Sequence, residues 1–213
     1  MYSVKEAFYT LQGEGARAGR ASVFCRFAGC NLWSGREQDR ATSACRFCDT
    51  DFVGTDGQNG GRFRNADGLA DHLAALWPPV PGGQRYVVFT GGEPLLQLDA
   101  TLIEALHARD FEIAVETNGT LTPPAGIDWL CVSPKGDTSL AITAGDELKL
   151  VYPQQDAPPE RFAGLDFRHF YLQPMDLAPL GGDGNTMGDV VDYCLSAPQW
   201  QLSLQTHKIA GID

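Results

Sequence analysis

The sequence predicts an α/β fold: a partial, open parallel β/α barrel. Three observations carry this. Seven short segments rich in β-branched and aromatic residues recur along the chain, each bounded by Gly, Pro, Asn or Asp. Helix-period apolar patterns lie between some of them, and that alternation points to parallel βαβ units. About three helical patterns are convincing, too few for a closed eightfold barrel. At 213 residues the chain is expected to be one domain, residues 1–213, burying about 70% of its unfolded surface.

The strands are expected at Ser22–Phe27, Tyr86–Thr90, Glu112–Thr117, Trp129–Ser133, Glu147–Tyr152, His169–Gln173 and Gln201–Thr206. Asp67–Trp77 reads as a helix with Leu69, Leu73, Leu76 and Trp77 on one face, Asn65 as its N-cap and Pro78-Pro79 as its stop. Leu95–Ala108 aligns Leu95, Leu98, Leu102, Ala105 and Leu106. Thr186–Leu195 places Val190, Val191 and Cys194 together after an Asn185 cap. Gly54–Gly61 (GTDGQNGG) reads as a surface loop too rich in glycine to pack, and Pro78–Gln84 as a breaker.

Composition bounds the partners. Hydrophobic residues make up 43% and charged residues 20%, and the net charge is −11. Such acidity argues against a polyanion held by bulk electrostatics, hence no nucleic acid. No apolar run approaches membrane-spanning length. The first residues carry no apolar signal core, so a cytoplasmic location is expected.

Six cysteines remain, and four of them fall between Cys25 and Cys48. In a reducing compartment such clustering reads as metal ligation or thiol chemistry rather than disulfides. Cys30, Cys45 and Cys48 have the spacing C-x14-C-x2-C. Three thiolates suit a four-iron cluster with one iron left open, whereas structural zinc asks for four protein ligands. Paired cysteines are also a zinc signature, with Cys25 as the available fourth ligand. Strand alternation, however, puts Cys25 between Val23 and Phe27 on an apolar face, opposite Phe24 and Arg26. Cys131 and Cys194 read as core residues.

Other segments carry polar chemistry at strand ends. Thr90-Gly91-Gly92-Glu93-Pro94 closes a strand, and its two glycines permit close backbone approach to a ligand. Leu11-Gln12-Gly13-Glu14-Gly15 flanks a carboxylate with glycines, and on its own reads as a tight turn. Arg26 reads as a surface ion pair or a fork for a carboxylate. Thr50, after Asp49, reads as a cap or turn residue. Glu116-Thr117-Asn118-Gly119, Ser133-Pro134-Lys135 and Gln173-Pro174-Met175-Asp176 end later strands, where parallel α/β barrels build their sites.

The cysteine loop together with the GGE segment resembles the radical S-adenosylmethionine enzymes. The combination of YTLQGEG (Tyr9–Gly15), FCRFAGCNLW (Phe24–Trp33), CRFCDT (Cys45–Thr50), TGGEP, ETNG, SPK, ELK (Glu147–Lys149), QPMD and QTHK (Gln205–Lys208) resembles one branch of them, the 7-carboxy-7-deazaguanine synthase family. The fourteen residues between the first two cysteines depart from the commoner three of the superfamily and match an expanded cluster loop, about residues 30–65. The resemblance implies a 4Fe-4S cluster on Cys30, Cys45 and Cys48, S-adenosylmethionine, and Mg2+ on Thr50. It implies cofactor contacts from Phe47, Gly92, Glu93, Glu116, Ser133, Pro134, Lys135, Gln173, Pro174, Met175 and Asp176. It implies pterin contacts from Leu11, Gln12, Gly13, Glu14, Arg26, Thr90 and the C-terminal Asp213. The activity implied is radical ring contraction of 6-carboxy-5,6,7,8-tetrahydropterin with loss of ammonia. A reductant protein such as flavodoxin or ferredoxin and a homodimer are implied as partners, and no side chain is implied as the hydrogen abstractor. A glycyl-radical activase and a zinc-binding interaction module stand as the alternatives.

Overall fold

The computed structural model describes residues 1–212. Seven strands run parallel: β2 (Ala21–Phe27), β4 (Arg85–Gly91), β5 (Phe111–Thr117), β6 (Trp129–Val132), β7 (Ala144–Tyr152), β8 (Asp166–Pro174) and β9 (Gln201–Leu202). They coincide with the seven expected segments, although β9 is cut to two residues. Two further strands, β1 (Tyr2–Leu11) and β3 (Gly61–Phe63), extend one edge antiparallel. The sheet order among the described residues is β3-β1-β2-β4-β5-β6-β7-β8-β9, with β3 and β9 as unjoined edges. The barrel is therefore open, as expected. Among the described residues no helix is long and apolar enough to cross a membrane.

Period-two alternation decides which residues face the core and which face the barrel interior. Val23, Cys25 and Phe27 of β2, Val87 and Phe89 of β4, and Ile113 and Val115 of β5 form one buried layer. Against it pack Leu69 and Leu73 of α1 (Ala66–Leu76) and Leu102 and Leu106 of α2 (Ala100–His107). Each of these four leucines is fully buried, which stabilises the fold by roughly 2 kcal/mol apiece. A second layer joins Leu148 and Leu150 of β7, Phe170 and Leu172 of β8, Val190 of α3 (Met187–Ser196) and Trp200. The alternate residues of the same strands, including Arg26, Glu116, Lys149 and Gln173, are left for the interior.

Several local expectations meet a different outcome. Asn65 does cap α1, its side chain accepting the Gly68 N–H at 2.9 Å. The helix expected over Leu95–Ala108 is broken in two, a 3-10 turn at Pro94–Leu96 and then α2, because Asp99 accepts the Leu102 N–H at 2.9 Å and restarts the chain as a helix. Thr186, not Asn185, occupies the cap position of α3, although the Asn185 side chain accepts the Met187 N–H. Val191 is exposed rather than core. The glycine-rich 54–61 segment is packed against β1, not free on the surface. Gly57 N–H donates to the Lys5 carbonyl and Gln58 accepts from the Ala7 N–H. A Cβ on Gly60 would overlap the Lys5 carbonyl, so the glycines are there for close backbone contact.

Candidate active site

The interior opens into a cavity of about 480 Å3 at the C-terminal ends of the parallel strands. Its rim is the cysteine loop, its walls are the strand ends, and its floor is the Gln12–Glu14 turn with the C-terminal α4 (Thr206–Ala210).

At the rim, Cys30 lies just past the end of β2, Cys45 and Cys48 lie farther along the same long loop, and all three line the cavity. A 3-10 helix at Glu37–Thr42 organises that loop. Arg40 from it donates to the Arg46 and Cys48 carbonyls at 2.9 and 3.0 Å and lies 4.1 Å from the Trp33 ring centroid. Burial pushes the Cys30 thiol up. A hydrogen bond from Cys45 draws Cys48 down to about 6 against the cost of burial, with the Lys135 ammonium assisting. A cysteine poised in this way is a ready thiolate ligand.

The donor set fits a cluster better than zinc. Cys25 is fully buried in the core on the far face of β2 and cannot join the other three. Among the described residues no group of three His, Cys, Asp or Glu side chains is placed to hold a single metal ion. Three thiols at one cavity rim, with no fourth within reach among the described residues, suit a polynuclear centre with one iron left open.

The backbone beneath this rim explains the paired glycines. The Glu93 N–H donates to the Gly29 carbonyl at 2.9 Å, pinning the end of β4 to the residue before Cys30. A Cβ on Gly91 would come within 2.6 Å of the Phe27 carbonyl, and one on Gly92 would overlap the Gly29 carbonyl. The close approach these glycines allow is thus to the cluster loop itself, while Gly92 also lines the cavity.

Most of the expected site residues meet here. Leu11, Gln12, Gly13, Glu14, Arg26, Phe47, Thr50, Thr90, Gly92, Glu116, Ser133, Lys135, Gln173, Pro174 and Asp176 all line the cavity. Lys135 donates to Ser133 Oγ at 2.7 Å and sits 5.5 Å from the Phe47 ring centroid. Arg26 is held through Nε by Glu6 at 2.8 Å. Thr50 has one weak side-chain bond, to Asp49 at 3.4 Å. Three expected residues stand off the wall. Glu93 is fully buried, and its carboxylate accepts from Leu95 N–H, Thr117 Oγ1 and Asn118 N–H. Its carboxylate therefore knits the end of β4 to the end of β5. Pro134 and Met175 also lie outside the lining, Met175 being buried. Asp213 lies outside the described residues.

The floor holds what sequence reasoning missed. Lys149 of β7 donates to Glu14 at 2.6 Å and Glu116 at 3.1 Å. Gln12 donates to the other Glu116 oxygen at 2.9 Å, which ties Glu116, expected as a cofactor contact, to the Gln12–Glu14 turn. Gln173 and Gln205 donate to the second Glu14 oxygen at 3.2 and 2.9 Å. Burial opposes ionisation of Glu14, yet Lys149, Gln205 and His207 outweigh it and hold the carboxyl at about 2. Thr206 donates through N–H and Oγ1 to the Gly13 carbonyl, and a Cβ on Gly13 would strike the His207 ring. Lys208 of α4 joins Asp49 of the cysteine loop to Asp176 after β8, at 3.1 and 3.2 Å. The available signal was Glu147 and Lys149 alternating with Leu148 and Leu150, which places two charges on one face of a buried strand.

This geometry agrees with what known proteins show. Residues 38–147 match the Radical SAM superfamily. The chain is 66% identical over 99% of both lengths to the 7-carboxy-7-deazaguanine synthase of Bordetella pertussis. Its identity to that of Caulobacter vibrioides is 65%, again over 99% of each chain. A crystal structure of QueE from Escherichia coli superposes with a TM-score of 0.70 at 25% identity, covering 95% of this chain and 93% of that one. With the three-cysteine rim, the open barrel and full-length likeness all in agreement, the chain belongs to the 7-carboxy-7-deazaguanine synthase family of radical S-adenosylmethionine enzymes.

Proposed function

We propose that the chain converts 6-carboxy-5,6,7,8-tetrahydropterin to 7-carboxy-7-deazaguanine, contracting the ring and releasing ammonia, in 7-deazapurine (queuosine) biosynthesis. The observation that supports this best is one cavity bounded by three cysteines at its rim and by a hydrogen-bonding floor suited to a pterin edge. Cys30, Cys45 and Cys48 would hold a 4Fe-4S cluster, and that cluster with S-adenosylmethionine would supply the radical chemistry directed at pterin carbon 6.

The protein's share is orientation and exclusion of quenching groups. Gly92, Ser133, Lys135, Gln173, Pro174 and Asp176 form the wall on which S-adenosylmethionine is carried, with Phe47 beside its adenine. Arg26 meets the substrate carboxylate with the guanidinium nitrogens that Glu6 does not engage, since Glu6 takes Nε. Gln12, Glu14 and Thr90 meet the pterin ring. Thr50, on the cavity lining, would offer its hydroxyl to Mg2+, an ion that favours oxygen ligands and few of them from protein. Flavodoxin or ferredoxin delivers the electron, and the enzyme works as a homodimer.

The test is anaerobic reconstitution. About four irons with acid-labile sulfide are expected per chain. Cys30→Ala abolishes turnover, while Cys25→Ala retains cluster and turnover because its sulfur only fills the core. Stoichiometric zinc without sulfide overturns the proposal.

A further inference from the structure

We infer that Lys149 is a positioning residue that sets substrate specificity, holding the Glu14 and Glu116 carboxylates side by side as a pair of acceptors for a donor-rich, guanidine-type ligand edge. This deepens the pterin reading and rests on it. The geometry is direct. The ammonium is almost fully buried, with its side chain 4% exposed, and it bridges Glu14 at 2.6 Å and Glu116 at 3.1 Å on the cavity floor. Amides complete the arrangement, Gln12 on Glu116 and Gln173 and Gln205 on Glu14, each donating and thereby fixing a carboxylate plane. Two fixed carboxylates offer acceptors only, so they favour a ligand edge made of N–H donors and leave a carbonyl in the same place without a partner.

Other titratable groups surround this pair. Glu147 faces Lys149 from β7 itself, Cys131 from β6, Glu116 from β5 and Glu14 from the turn after β1. His207 of α4 faces Glu14, and Tyr86 of β4 faces Glu116. Tyr171 of β8 faces Glu147. Lys149 is thus the one ammonium that the described residues place among three carboxyls, and without it neighbouring carboxylates in a buried space retain a proton between them. That proton would occupy an acceptor and have to leave when a donor edge binds.

The experiment is anaerobic calorimetry on cluster-loaded protein with S-adenosylmethionine and no reductant, titrating 6-carboxy-5,6,7,8-tetrahydropterin from pH 6 to 8.5 in buffers of differing ionisation enthalpy. Wild type and Lys149→Arg are expected to bind with no proton exchanged through this pair. Lys149→Gln is expected to bind at least tenfold more weakly at pH 6, to release about one more proton than wild type, and to gain affinity by up to tenfold per pH unit. His207 is common to all variants, so its contribution cancels in the comparison. The Glu116→Gln, Lys149→Gln double variant removes the like-charge pair together with its cation, and its proton release should return to the wild-type value whether or not the single variant folds. A Lys149→Gln protein matching wild type in affinity and proton count, or a double variant that still releases the extra proton, overturns the inference. Failure of wild type to bind the pterin overturns the functional reading itself, and is distinguishable because it appears before any variant is made. A 2-oxo analogue of the pterin should bind wild type at least tenfold more weakly than the substrate, and equal binding would refute the specificity role.

Discussion

Replacing Gly92 by alanine adds one methyl group to the molecule, and the structure says where it goes. Gly92 has no left-handed backbone that only glycine tolerates, since it is absent from the positive-φ glycines. The conflict is purely steric: the new Cβ would overlap the Gly29 carbonyl oxygen, with Gly29 C at 2.5 Å and Cys30 Cβ at 2.9 Å. None of these is the far end of a flexible side chain, so the strand end and the cluster loop must separate. Overpacking of this kind costs about 1–3 kcal/mol. The adjacent Glu93 N–H bond to Gly29, 2.9 Å long, is strained or lost with it, adding about 1 kcal/mol. For a protein of this size a total of about 2–4 kcal/mol lowers Tm by roughly 5–15 °C. Activity should fall further, by about a hundredfold, because Cys30 moves with Gly29 and an ångström of misplacement is costly at a reacting centre. Differential scanning fluorimetry with iron quantitation and turnover under anaerobic conditions gives all three numbers. A Gly92→Ala protein with unchanged Tm, full iron and full turnover would refute the idea that these glycines exist for the approach of β4 to the cluster loop.

Other outcomes follow from the same geometry. Glu14 sits at about 2 in the folded protein, below the ~4.3 of an unfolded glutamate. Its stabilisation is therefore complete above about pH 4.3 and is lost as pH falls toward 2, so Glu14→Gln should remove up to ~3 kcal/mol of acid-dependent stability in that window. Denaturant melts at stepped pH read this out, and an unaltered acid limb would count against the ion pair with Lys149. Thr50→Val keeps the shape and loses the hydroxyl, so turnover should fall and cease to respond to added Mg2+, whereas full activity with intact Mg2+ dependence would remove Thr50 as the ligand. Arg26→Lys should raise KM for the pterin at least tenfold, since a lysine cannot present a fork to a carboxylate; an unchanged KM would assign Arg26 to its ion pair with Glu6 alone.

The parallel strands were legible because each is a short apolar or alternating run between breakers, and every one of the seven appears in the sheet. β1 was not, because Lys5 and Glu6 interrupt its apolar pattern and its pairing with β2 shifts register between Val4 and Glu6. Lys5 is nevertheless buried, spending its ammonium on Asp51, Asp56 and the Val53 carbonyl, which fastens the tail of the cluster loop to the sheet. The glycine-rich segment misled for a related reason: glycine marks a flexible loop and a close backbone contact alike, and only the partner strand tells them apart. The cysteines and strand-end motifs were readable because their chemistry is local to a few residues. The floor was readable only in part: Gln12, Glu14 and Glu116 were expected contacts, but their bonds to Lys149 and Gln205 join distant stretches and arise only when the barrel brings them together. Glu93 shows the converse, a motif residue whose carboxylate the fold consumes internally.

If rim and floor form one site for radical ring contraction, the mass of the product shows it. Reconstituted protein is incubated anaerobically with 6-carboxy-5,6,7,8-tetrahydropterin, S-adenosylmethionine, Mg2+ and reductant, and the products are weighed by mass spectrometry. The expected product is 7-carboxy-7-deazaguanine, lighter than the substrate by the elements of ammonia, with none formed by Cys30→Ala. Unaltered pterin from protein that carries its full complement of iron and sulfide would contradict it.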